Sequence, residues 1–137
     1  MDIQWIIMAK SMKLNPDRSV DISDIVHHCT ICGEMNTFPV MLIAKANFSP
    51  IETGETKTLT LKLIHDKNGE TLSEDISYKV PDLVTWADSV TYLKIEIKAV
   101  KYQYSGIYTF KLLIDGIYKN EESIEVTDLM EKFDEKN

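Results

Sequence analysis

Three stretches of this chain alternate apolar and polar residues with a period of two, and that pattern commits it to β-structure. Leu59, Leu61 and Leu63 interleave with Thr58, Thr60 and Lys62. Leu93, Ile95, Ile97 and Ala99 interleave with Lys94, Glu96 and Lys98. Tyr108, Phe110, Leu112 and Ile114 mark one face of the stretch after Gly106. Successive side chains of a strand point to opposite faces, so each stretch reads as a strand with one face buried and one solvated. The punctuation agrees. Asp66-Lys67-Asn68-Gly69 and Asp115-Gly116 carry the Asn-Gly and Asp-Gly pairs that tight hairpins favour.

The rest of the chain fits the same reading. Residues 3–12, 20–31, 38–48, 72–80 and 117–126 are further extended segments. Asn15-Pro16-Asp17-Arg18 breaks the first from the second, and Gly33 and Asn36 mark a loop before the third. Pro39 falls near a strand start, where its missing N–H is tolerated, and Pro50 and Gly54 end that strand. Ile76, Tyr78 and Val80 alternate until Pro81 stops them. Residues 82–89 form a connection with room for one helical turn. Leu129, Met130 and Phe133 fall at helical spacing in a charged tail. About seven or eight strands spaced roughly 10–12 residues apart indicate a sandwich or barrel. The absence of βαβ alternation argues against a parallel α/β sheet. Residues 1–127 are expected to form one domain, followed by a short helical or flexible acidic tail over 128–137.

The segment from Ser105 to Leu112 resembles the penultimate strand of immunoglobulin-like domains, where a Gly-x-Tyr step opens the strand. The resemblance implies an all-β, immunoglobulin-like antiparallel β-sandwich, with the Tyr108 hydroxyl anchoring a neighbouring loop. The Cys–Trp–Cys core of antibody domains is missing, because Cys29 and Cys32 are too close together to bridge two sheets. Over most of its length the chain also resembles a family of small, uncharacterised bacterial proteins. The likeness rests on an apolar first strand ending in Ala (Trp5-Ile6-Ile7-Met8-Ala9), a Phe38-Pro39 step, and a Leu-rich strand with the Asp66 and Gly69 turn. It closes on Gly106-x-Tyr108-x-Phe110 and Asp115-Gly116. Asn15-Pro16-Asp17-Arg18 stands where that family has a Gly-containing loop. No activity follows from the resemblance.

A formal net charge of −7 argues against sequence-independent binding to nucleic acid, which requires Lys and Arg to neutralise phosphates. It suits a basic partner. No apolar run approaches the ~20 residues of a membrane span. The short apolar stretch Trp5–Ala9 behind an acidic Asp2 does not make an export signal. A cytoplasmic location with reduced thiols is the expectation.

One cluster carries metal-binding residue types, His27-His28-Cys29-Thr30-Ile31-Cys32. Imidazole and thiolate are zinc ligands, and Cys-x-x-Cys is a common ligand spacing. A second such pair is missing, and His65 is the only other histidine. In a strand, Cys29 and Cys32 point to opposite faces. The preferred reading is a plain strand with Ile25, Cys29 and Ile31 inward and His28 solvated, leaving no metal or other cofactor. A thiol nucleophile paired with one of these histidines lacks anything to fix its geometry. No Gly-x-Ser-x-Gly elbow, phosphate loop or calcium loop is present, so no catalytic residue is assigned.

The remaining candidate is a binding surface of Lys101, Tyr102 and Tyr104, aromatic and cationic residues beside Ser105-Gly106. The expected function is a non-enzymatic protein-binding or regulatory module in a bacterial or phage context. One version is an inhibitor of a host defence system. Contact through those tyrosines or through an edge strand is expected. Two alternatives stand beside it, a structural homo-oligomer and a metal- or thiol-dependent enzyme built on His27, His28, Cys29 and Cys32.

Overall fold

A computed structural model of the protein describes residues 1–32, 37–82, 85, 89–98 and 105–129. Nine strands are found among them. They are β1 (Asp2–Leu14), β2 (Val20–Ile25), β3 (His28–Ile31), β4 (Thr37–Asn47), β5 (Thr56–His65), β6 (Gly69–Lys79), β7 (Val90–Lys98), β8 (Gly106–Ile114) and β9 (Ile117–Asp128). A four-stranded sheet runs β2-β1-β4-β7, and a five-stranded sheet runs β3-β9-β8-β5-β6. All neighbours are antiparallel except β3 and β9, which are parallel. No helix among the described residues is long and apolar enough to cross a membrane.

The period-two stretches form the core. Leu59, Leu61 and Leu63 of β5 face Tyr108, Phe110, Leu112 and Ile114 of β8 on the same inner surface, and all are buried. Ile6 and Met8 of β1, Leu42, Ala44 and Ala46 of β4, and Leu93 and Ile95 of β7 meet them from the other sheet. Both predicted hairpins form. Asp115 and Gly116 take φ of 50° and 80°, both left-handed, as a two-residue turn joining right-twisted strands requires.

The sequence reading of residues 20–31 as one segment needs correction. The chain reverses there and changes sheets. Asp24 takes φ 57°, a conformation Asp tolerates better than most residues. The Val26 N–H then donates to the Met8 carbonyl in the first sheet (2.8 Å), and the His27 carbonyl accepts from the Glu125 N–H in the second (3.0 Å). Two adjacent residues thus pair with opposite sheets, splitting the segment into β2 and β3 and raising the strand count from the expected seven or eight. The reversal also turns Ile25 outward. It is 56% exposed, although alternation within a single strand would bury it with Cys29 and Ile31.

The β1–β2 hairpin also returns over the outer face of the four-stranded sheet. Leu14, Asn15 and Arg18 at its tip share a pocket with Lys45, Val90, Thr91 and Tyr92. Beneath that face Ala9 and Ile43 are fully buried, although neither belongs to the core between the sheets.

Candidate functional site: the open edge between the sheets

Both ends of the sandwich are fixed by polar clusters. At one end, Glu52 lies buried in a 3-10 turn after Pro50. Its carboxylate accepts from the Met1 α-ammonium, from the Ser49 N–H (2.9 Å) and from Lys57 Nζ (3.0 Å). Burial opposes its charge, but these three donors outweigh burial and hold the carboxyl down at about 2. Lys57 also reaches Glu55 at 2.9 Å, and Glu55 first and then Glu52 raise its pKa. At the other end His65 is 2% exposed. Its Nδ1 accepts from the N–H groups of Lys67 (3.2 Å) and Asn68 (3.1 Å), which places the proton on Nε2 to donate to the Ser105 carbonyl (3.0 Å). The ring packs edge-on against Tyr108 at 4.7 Å. Gly106 is required beside it, because at φ 149° a Cβ would stand 2.5 Å from His65 Nε2. These groups shape the turns at the two ends.

The sequence-predicted metal and thiol candidates separate. Cys29 is buried, and burial pushes its thiol up to about 11, away from the thiolate that nucleophilic chemistry needs. Cys32 is exposed, just beyond the end of β3. His27 and His28 are solvent-exposed. His28 Nε2 meets Thr127 Oγ1 at 2.9 Å on the neighbouring strand. Among the described residues, no three His, Cys, Asp or Glu side chains gather closely enough to hold a metal ion. The binding candidates Lys101, Tyr102 and Tyr104 lie outside the described residues, as do Met130 and Phe133 of the tail.

A groove that sequence reasoning missed lies between the free edges of β6 and β7. Each strand ends its sheet, and the two edges flank the same side of the sandwich. The groove holds about 590 Å³ and is lined by Leu59, Ile76, Tyr78, Leu93 and Ile95, with Glu74, Lys94 and Glu96 at its lip. One end is closed by Tyr78, which stacks on Phe48 at 6.0 Å and hydrogen-bonds Thr91 across the two sheets. The inward residues of β6 alternate as Leu72, Glu74, Ile76 and Tyr78. The three apolar ones are only half-buried. Glu74 stands opposite Leu61 in the register, a carboxylate on the inner face of an edge strand. It has no ion-pair or hydrogen-bond partner among the described residues, whereas Lys94 and Glu96 pair with each other at 3.9 Å. The alternation of Ile76, Tyr78 and Val80 was visible in the sequence. That β6 borders no further strand among the described residues was not, because a period of two reveals a strand's faces and not its neighbours.

No family model matches the chain, and no curated protein matches it either.

Proposed function

We propose that the protein is a non-enzymatic binding module that takes up an extended segment of a basic protein partner along the free edge of β6. The observation that carries this reading is the groove itself. Among the described residues it combines an eleven-residue strand edge with no neighbouring strand, half-buried apolar side chains on that strand and a carboxylate without an ion-pair or hydrogen-bond partner. An added strand would hydrogen-bond the β6 backbone, cover Leu72, Ile76 and Tyr78, and place a Lys or Arg opposite Glu74. The net charge of −7 favours the same kind of partner over long range. Self-pairing of β6 is disfavoured, since an antiparallel β6–β6 contact would centre near Glu74 and Asp75 and set like charges against each other. An inward charge on an edge strand is also a known guard against such pairing.

The strand order supports an immunoglobulin-like reading. β5, β6, β8 and β9 share one sheet, β1, β4 and β7 share the other, and apart from the excursion through β3 the chain crosses between sheets at β4–β5, β6–β7 and β7–β8. The fold by itself says nothing about the partner.

The test is selection from a random twelve-residue peptide library followed by amide shift mapping. Selected peptides should alternate apolar residues, carry Lys or Arg, and shift β6 amides. Glu74→Lys should reverse the charge preference to Asp or Glu. Peptides without a charge preference, or shifts centred on β1 or β9, would refute the proposal.

A further inference from the structure

We infer that the segment taken up by β6 carries two adjacent basic residues, one facing the groove and the next facing outward, among apolar residues that alternate into the groove. The inference rests on the strand-addition reading and gives the partner a sequence frame. The phase of the β6 backbone carries it. The Val80 N–H donates to the Glu55 carbonyl (2.9 Å), and the Val80 carbonyl accepts from the Gly54 N–H (3.1 Å), so both polar groups of Val80 point to the β5 side. Residues of an antiparallel strand alternate between bonding a given neighbour and facing away from it. The β5–β6 register runs without a shift from Thr56↔Lys79 to Leu63↔Leu72. Tyr78, Ile76, Glu74 and Leu72 therefore share the phase of Val80 and spend their backbone groups on β5.

The alternate residues, Ser73, Asp75, Ser77 and Lys79, direct their N–H and C=O groups to the open edge. β5 gives an independent check. The Thr58 carbonyl accepts from the Asp115 N–H (2.9 Å), on the β8 side, and Thr58 stands opposite Ser77. The backbones of that pair do not bond each other, which leaves Ser77 for a new neighbour.

Side chains follow the same phase. Leu72, Glu74, Ile76 and Tyr78 lie on the inner face, whereas Ser73, Asp75, Ser77 and Lys79 are exposed on the outer face. An antiparallel strand, the slightly more stable arrangement, sets one of its own residues opposite each of these. Its residues opposite Leu72, Ile76 and Tyr78 face the groove and are apolar. Its residue opposite Glu74 also faces the groove and is basic. The next residue stands opposite Asp75, which accepts from Thr60 Oγ1 at 2.6 Å and has no cation partner among the described residues. Opposite charges directly across a strand pair stabilise it, so consecutive carboxylates on the two faces of β6 call for consecutive cations in the partner. Lys94 and Glu96 across the groove pair with each other at 3.9 Å and leave that demand unchanged. Lys79, the cation of the outer row, ends the strand.

The probes are two acetylated, amidated peptides of the same composition. Val-Thr-Val-Lys-Arg-Thr-Val reads, from its N-terminus, opposite Tyr78 through to Leu72. Val-Thr-Lys-Val-Arg-Thr-Val separates the cations by one residue, which leaves valine facing Asp75 and sets lysine against Ile76. Each is titrated into the whole chain and followed by amide shifts. The adjacent-cation peptide should shift β6 amides and bind about tenfold more tightly than its isomer, which loses one cross-strand ion pair and places a charge on an apolar position. Asp75→Asn should weaken that peptide about fivefold and leave the affinity of the isomer unchanged, with the dispersed amide spectrum retained. Equal affinity of the two peptides, each shifting β6, would overturn the paired-cation frame and leave strand addition standing. So would an Asp75→Asn variant that binds both peptides as the native chain does. If neither peptide shifts β6 at millimolar concentration, the frame and strand addition fail together.

Discussion

The two long sides of this sandwich are finished differently. On one side the chain seals the gap between the sheets. β1 lies along β9, Lys119 of β9 pairs with Asp2 of β1 at 3.2 Å, and the β2–β3 reversal crosses from sheet to sheet at Val26 and His27. On the other side β6 and β7 end their sheets, with an apolar groove between them. The burial pattern follows. Ile124 and Val126 of β9 are each 1% exposed, whereas Leu72, Ile76 and Tyr78 of β6 are only half-buried. Among the described residues, the open side leaves the eleven-residue edge of β6 without a neighbouring strand and its apolar inner residues only half-covered. That asymmetry locates the candidate site where composition did not.

The largest test of this contrast is a pair of truncations. Ile124→Ala on the sealed side should cost about 3–4 kcal/mol of unfolding free energy, the usual range for a fully buried aliphatic side chain. Ile76→Ala on the open side should cost about 1 kcal/mol, because less surface is lost from the core. Urea denaturation measures both, and equal costs would break the distinction.

Next comes the ionic clamp at Glu52, which ties the start of β1 to β5 and belongs to neither edge. Glu52→Gln should cost about 2 kcal/mol at neutral pH through lost charge-assisted hydrogen bonds. The native carboxyl sits at about 2, against 4.5 for an unperturbed Glu, so its contribution is complete above pH 4.5. It is lost as the pH falls from 4.5 towards 2, and Glu52→Gln should flatten that part of the stability profile.

The cysteines give a smaller effect confined to the sealed side. Cys29→Ser should cost about 1.5 kcal/mol by burying a hydroxyl, and Cys32→Ser should stay within about 0.5 kcal/mol. A thiol reagent should modify Cys32 in the native protein and reach Cys29 only on unfolding.

The smallest stability effect is expected at the proposed contact. Glu74→Lys should change unfolding free energy by no more than about 0.5 kcal/mol, since Glu74 is exposed and has no partner among the described residues. A large loss would mean that Glu74 supports the fold rather than a partner.

Much of the fold was legible in the sequence for a plain physical reason. Leu59, Leu61 and Leu63 had to share a face, and so did Tyr108, Phe110, Leu112 and Ile114. The structure buries all seven. Asp115-Gly116 and Asp66-Lys67-Asn68-Gly69 encode their turns locally. The β2–β3 reversal was hidden because Val26 and His27 are ordinary strand residues, and only Asp24, a residue tolerant of left-handed backbone, hinted at it. The candidate site was less visible still. Glu74 reads as one acid among many until β6 is known to be an edge. His65 stood out in the sequence only as the third histidine, and its environment makes it a turn-fixing residue.

The most direct test of the open-edge account is amide hydrogen exchange on the protein with and without a library-selected basic peptide. The account predicts that, without peptide, β6 amides exchange faster than those of β8 and β9. With peptide, alternate β6 amides should slow and the sealed side should be unchanged. Peptide-dependent protection along β1, β3 or β9, with β6 unaffected, would contradict it.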